Sequence, residues 1–224
     1  MKILHDPALL QKLLSSKACT DYFAPQFRPH FSLVEFAPGE RVIHQDAPAD
    51  HLFLMLDGRC HVRVGLANGK SVILQMMQPP CLIGEMELLR NVSPFTVLAL
   101  EPCRMLALPM AVCKPMLLEN AYFLRRVAAD LVWKERGMTL TLLHTFGYPL
   151  ENRLAKFLLD NRQGDCCDIR KVVMAESLGV SYRHVESVMS RFVREGYLAK
   201  EGLTYRIRDP QALAELARDL EGEI

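Results

Sequence analysis

The spacing of apolar residues changes at Pro109, and that change governs what the chain can fold into. From Phe31 to Pro109 the text runs in short stretches broken by turn residues. FSLVEFAPGERVIHQ reads as strand, Pro38-Gly39 turn, strand. HLFLMLDGRCHVRVGLANGKSVILQMM holds strand-like runs broken at Asp57-Gly58 and at Asn68-Gly69. The second break is a hairpin signal, because both central residues of a tight primed turn need positive φ. Along RCHVRVGL, Cys60, Val62, Val64 and Leu66 share one face. Many short strands at this spacing predict a β barrel or jelly roll.

Beyond Pro109 the repeat becomes helical. Leu117, Leu124, Leu131 and Met138 recur seven apart, with Val127, Ala128 and Leu142 filling the same stripe. The pattern predicts a helix from Pro115 to Leu142, roughly 40 Å long at 1.5 Å per residue. Such a stripe either packs on its own barrel or is buried against a symmetry mate. A helix this long beside a compact barrel points to the second, with those four residues as the dimer interface. Gly147 and Pro149 then break the helix and make a hinge. In LENRLAKFLLDN, Leu150, Leu154, Phe157 and Leu158 fall on one helical face.

The next stretch, VVMAESLGVSYRHVESVMSRFVREGYL, carries two short helical patterns joined at Leu178-Gly179-Val180-Ser181. Ala175 is small enough for a close helix crossing, Gly179 supplies the turn, and Ser181 is placed to cap the second helix. Val185, Val188, Met189 and Phe192 form its buried face, which leaves Tyr182, Arg183, Glu186, Ser187, Ser190 and Arg191 outward. YLAKEGLTYRI then reads as two strands around Lys200-Glu201-Gly202. The spacing is that of a helix-turn-helix with an appended wing. The whole chain is nearly neutral at +1, whereas Ile169 to Arg208 holds eight Lys or Arg against four Glu. A local basic surface of this kind is the footprint of nucleic-acid binding. Arg183, His184 and Ser187 lie at the end of the helix that meets base edges, Arg183 with the reach to read guanine. Lys171, Arg191, Lys200 and Arg206 are placed as phosphate contacts.

Half of the 224 residues are apolar, enough for at least one sizeable core. The start MKILHDPALLQKLL has no sustained apolar run, and no segment approaches the ~18 apolar residues of a membrane span, so the cytoplasm is expected. Seven scattered cysteines without a C-x-x-C pair are not a disulfide framework. No G-x-S-x-G, P-loop or H-E-x-x-H occurs, so no enzyme is expected.

Strand-rich barrel, long helix and winged helix-turn-helix, in that order, resemble the CRP/FNR superfamily of bacterial transcription regulators over nearly the whole chain. The matching motifs are FAPGERVIHQ and LFLMLDGRCHVRV in the barrel, IGEMELL at the ligand cassette, and LGVSYRHVESVMSRF in the DNA-binding domain. The resemblance implies an α+β fold in three parts: a cyclic-nucleotide-binding-like jelly-roll barrel (double-stranded β-helix) over 1–112, a dimerisation helix and hinge over 113–146, and a winged helix-turn-helix over 147–224. It further implies a homodimer on a two-fold symmetric DNA site, with half-sites roughly 34 Å apart and RNA polymerase as a further partner.

Cyclic-nucleotide-binding members hold the ribose with the Glu of a Gly-Glu pair and the phosphate with an Arg and a hydroxyl about eleven residues on. Gly84, Glu85 and Thr96 match, but Phe95 stands where the Arg belongs, Arg90 is off register, and Pro80 replaces a usual glycine. Without the guanidinium the phosphate loses its charge-assisted contact, so cyclic AMP is not the expected effector. At the reading helix, Tyr182, Arg183 and Ser187 replace the Arg, Glu and Arg of cyclic-AMP regulators, and the cognate site should differ. An iron–sulfur cluster of the family's type needs closely spaced N-terminal cysteines, whereas Cys19 stands alone. A thiol switch using Cys60, Cys81, Cys103 or Cys113 stays open, and the adjacent Cys166 and Cys167 read as packing. His44, His51 and His61 are the remaining candidates for metal or haem, although no metal is expected. The effector is thus an unknown small molecule or redox signal. Two other readings stay open: a cyclic-nucleotide- or redox-sensing module acting through protein partners, and a small barrel enzyme with a His/Glu metal cluster.

Overall fold

The structure is a computed structural model that describes residues 1–67, 69, 71–90, 92–202 and 204–220. The chain divides into two compact units, Met1–Arg136 and Gly137–Ile224.

The first unit opens with β1 (Lys2–Ile3), α1 (Pro7–Leu14) and α2 (Lys17–Thr20). Asp6 and Ser16 cap the two helices by accepting the free N–H groups of Leu9 and Cys19. The strands β2 (Ser32–Phe36), β3 (Arg41–Ile43), β4 (His51–Asp57), β5 (Cys60–Gly65), β6 (Ser71–Met77), β7 (Cys81–Ile83), β8 (Thr96–Ala99) and β9 (Cys103–Pro109) follow. They form two antiparallel sheets, ordered β1-β2-β9-β4-β7 and β3-β8-β5-β6, the jelly-roll barrel that the strand spacing predicts. Gly39 and Gly58 turn at φ of +83° and +88°. β5 and β6 pair from Cys60↔Met77 to Gly65↔Ser71, so the hairpin is present with a connection longer than a two-residue turn. Gly69 has φ +77°, while Asn68 lies outside the described residues.

At its central strands the five-stranded sheet is buried on both faces. Val34, Phe36, Phe53, Met55, Met105 and Ala107 turn inward to meet Cys60, Val97 and Ala99 of the other sheet. Leu33, Leu52, Leu54, Leu106 and Leu108 turn the other way, under Tyr22, Phe23, Phe27, Phe31 and Phe123. Phe23 lies edge-on to Phe31 and stacked on Phe123. Each such side chain contributes about 1.5–3 kcal/mol relative to exposure.

The predicted single helix from Pro115 is two. α3 (Met110–Leu118) ends at Glu119, and α4 (Ala121–Gly147) begins where the Asn120 side chain accepts the Phe123 N–H at 2.9 Å. Leu117 therefore sits on α3, fully buried in the core. Of the four residues expected at the interface, Leu124, Leu131 and Met138 share α4. Val127 leaves their stripe as well, because it faces the barrel core with Phe123. Tyr22 donates to Asp130 at 2.6 Å and lies beneath the Arg126 guanidinium, which fastens the N-terminal segment to α4.

The second unit holds α5 (Leu150–Asp160), β10 (Cys166–Cys167), α6 (Lys171–Leu178), α7 (Tyr182–Arg194), β11 (Leu198–Glu201), β12 (Thr204–Ile207) and α8 (Pro210–Ala217). Its sheet order is β10-β12-β11. The adjacent Cys166 and Cys167 pair with Arg206 and Tyr205, the first half-buried and the second buried. Among the described residues no helix is long and apolar enough to cross a membrane.

Candidate nucleic-acid interface and effector cassette

α6 stops at Gly179, whose φ of +64° is the left-handed conformation a glycine reaches without strain. The N–H groups of Gly179 and Val180 both turn back to the Ala175 carbonyl. Ser181 then accepts the His184 N–H at 3.3 Å and starts α7. Val185, Met189 and Phe192 are buried and Val188 is half-buried, the face that the spacing predicts. Arg153 of α5 donates to the Leu178 carbonyl at 2.8 Å and to the Tyr148 carbonyl at 3.2 Å, so the end of α6 is held by a neighbouring helix.

The outward face of α7 begins with Tyr182, Arg183, His184, Glu186 and Ser187, all exposed. Among the described residues Arg183 makes no ion pair. Lys171 does: its ammonium lies 2.7 Å from Glu186 and 5.4 Å from the Tyr182 ring centroid, and the Glu186 bond raises its pKa. Arg191 pairs with Glu151, and Arg206 holds Glu201 through two bonds of 2.7 and 2.9 Å. Three of the four residues expected to meet phosphates are thus engaged inside the unit, and Lys200 stays exposed on β11. Glu151 and Glu201 as counter-ions escaped the sequence reading: Glu151 lies 40 positions from Arg191 and no spacing joins them. The β11–β12 hairpin forms the wing, with Gly202 at φ +64° and Leu203 outside the described residues.

In the barrel, Gly84 follows β7 at φ +100°, and a Cβ there would come within 3.0 Å of the His51 carbonyl oxygen. That close approach fixes the next residue. Glu85 is buried, and its carboxylate meets the ammonium of Lys134, from α4, at 2.5 Å. Lys134 also donates to the Leu82 carbonyl at 2.8 Å. The partner that a buried carboxylate needs comes from the chain itself. Thr96 accepts the Gln45 N–H at 3.2 Å, and the hydroxyl of the buried Ser93 donates to the Phe95 carbonyl and accepts the Phe95 N–H. Arg90 and Pro80 are exposed. His44 is exposed and His61 buried, and among the described residues no group of three or more His, Cys, Asp or Glu could hold a metal.

Comparison with known proteins follows the same division. A family model described as cyclic nucleotide-binding domain matches residues 33–120, and one described as Crp-like helix-turn-helix domain matches 152–216. The regulatory protein YeiL of Escherichia coli O157:H7 is 33% identical over 211 residues, spanning 94% of this chain and 96% of its own. A CRP-like cAMP-activated global transcriptional regulator of Mycobacterium tuberculosis is 21% identical over 83% of this chain and 88% of its own. Among solved structures, a putative transcriptional regulator from Eubacterium rectale has a TM-score of 0.78 at 16% identity, covering 93% of this chain and 97% of its own. A second, from Thermus thermophilus, has a TM-score of 0.74 at 21% identity, covering 83% and 96%. At those identities the two structures establish the shared fold.

Proposed function

We propose, given that this chain belongs to the CRP/FNR superfamily of transcription regulators, that it acts as a homodimer reading a two-fold symmetric DNA site, and that cyclic AMP is not its effector. The observation that carries the DNA reading is the first turn of α7, where Arg183, His184 and Ser187 are exposed and the Arg183 guanidinium has no acidic partner among the described residues. In this reading Arg183 contacts a base edge. Ser181, Tyr182, Lys171, Arg191, Lys200 and Arg206 serve the phosphates or hold the helix that meets them. Lys200 bears most directly on phosphate, since Lys171, Arg191 and Arg206 must first exchange an acidic partner for DNA.

By role, residues 1–112 together with the rest of α3 are the effector barrel, α4 to residue 146 is the dimerisation helix and hinge, and residues 147–224 are the DNA-binding domain. Leu124 and Leu131 are exposed on α4, and Met138 lies on the same stripe, which supports burial against a second copy. Two features argue against cyclic AMP. Phe95 offers no charge to a phosphate, and Glu85 is already neutralised by Lys134. Gly84, Glu85, Phe95 and Thr96 then line a cassette that is structural or that serves another small molecule. The site of action is the cytoplasm, with RNA polymerase as the partner of the DNA-bound dimer.

Selection of bound sequences from random DNA, with reduced protein and no added ligand, tests the reading. A recovered two-fold site whose affinity is unchanged by added cyclic AMP is the expected result. Recovery of no site, or of one that needs cyclic AMP, would overturn it.

A further inference from the structure

Cys60 on β5 and Cys103 on β9 stand on opposite sheets of the barrel, and their sulfurs are 3.6 Å apart. Both residues are fully buried. Cys60 pairs with Ala99 and Met77 in one sheet, and Cys103 with Phe36 in the other, so each sulfur is held by a ladder of its own. The Cys103 thiol also lies within 3.2 Å of the Arg59 carbonyl and 3.1 Å of the Glu101 carbonyl. These carbonyls belong to two surface turns that close over the pair. Gly58 fits there only because it has no side chain: a Cβ would lie 2.5 Å from the Pro102 oxygen and 2.7 Å from the Cys103 sulfur. An ion pair, Arg59 to Glu101 at 2.9 Å, ties the two turns together.

We propose that Cys60 and Cys103 form an oxidisable dithiol site, taking a peroxide as oxidant and closing to a disulfide that joins the two sheets of the barrel. A disulfide needs its sulfurs about 2.05 Å apart, so the pair must close by roughly 1.5 Å, a side-chain movement. The contact between the two thiols draws the Cys103 pKa down and pushes that of Cys60 up, so one cysteine of the pair ionises before the other. Its thiolate attacks one peroxide oxygen, the O–O bond breaks, and protonation of the leaving oxygen gives water and a sulfenic acid. The second cysteine then attacks that sulfur, the S–O bond breaks, and its proton leaves with the hydroxyl as a second water. Each sulfur has lost one electron and the peroxide has gained two. The depth of the site favours hydrogen peroxide over a larger disulfide oxidant, and Arg59 with Glu101 is the cover that must lift.

The experiment takes the reduced full chain, exposes it to hydrogen peroxide, blocks remaining thiols after denaturation, and maps unreduced tryptic peptides. A peptide joining Cys60–Arg63 to Asn91–Arg104 is expected. It should be lost on treatment with dithiothreitol and absent from both Cys60→Ser and Cys103→Ser. The melting temperature should rise by about 5 °C or more with the crosslink and fall back on reduction. Recovery of both thiols unmodified, or of Cys60 joined to any other cysteine, would overturn the site. Arg59→Ala should speed crosslinking by about twofold to fivefold, the equilibrium worth of a partly exposed ion pair. An unchanged rate would remove the ion pair as the cover. None of these readouts depends on DNA.

Discussion

Lys134 and Glu85 meet almost wholly out of water, and a pair so placed is costly to break from one side only. Lys134→Met leaves a buried carboxylate alone, and a loss of roughly 3 kcal/mol is expected in urea unfolding. Adding Glu85→Gln should recover most of that loss; equal destabilisation in the single and double variants would show that the two groups do not interact. His61 poses the opposite problem, since neither ring nitrogen has a hydrogen-bond partner among the described residues. Burial above all, and then the Arg63 charge, lower its pKa from 6.5 to about 4. The folded chain holds the ring neutral, while the unfolded chain protonates it below 6.5. Stability from this residue is therefore complete above pH 6.5 and is lost as the pH falls toward 4, by about 2–3 kcal/mol. His61→Leu should remove that part of the slope between pH 7 and pH 5 in urea titrations. At Arg183, replacement by Ala should cost roughly 1–3 kcal/mol at one base pair per half-site. Equal weakening on specific and random DNA would make it a phosphate contact instead.

α7 is the element most completely legible in the sequence: its cap, its glycine turn and its apolar face are local, and local chemistry is what a sequence writes plainly. The barrel strands were legible for a different reason, since the turns at Gly39 and Gly58 interrupt them. Their faces were harder to read, because β4 and β9 are buried on both sides and so carry continuous apolar runs rather than alternation. The heptad pattern overstates the length of the long helix. The seven-residue repeat passes through Glu119 and Asn120 without interruption, but Asn120 caps a new helix and Leu117 belongs to the preceding one. The need of Glu85 for a partner could be seen; that the partner is Lys134, 49 positions away, could not. For α4 the expectation concerns the exposed stripe. If the proposed dimer is sealed along α4, Leu124→Glu should convert it to a monomer in sedimentation velocity with little change in helix content. Persistence of the dimer would place the seam on another face.

Over the whole molecule, the two matched families begin and end short of the units that fold. The first match starts at residue 33, whereas the unit that contains it starts at Met1. The thirty-odd residues between had no strand or helix in the sequence reading, yet Leu14, Cys19, Tyr22, Phe23, Phe27 and Phe31 form the roof over the outer leucines of the five-stranded sheet. Removing them would bare Leu33, Leu52, Leu54, Leu106 and Leu108 together. A protein cut at residue 33 should express as inclusion bodies, and one cut at residue 2 should remain in the supernatant. Equal recovery of soluble protein from both would mean that the roof is dispensable. The doubly buried sheet thus sets a rule for handling the protein: the boundary that homology marks is not the boundary that will stay in solution.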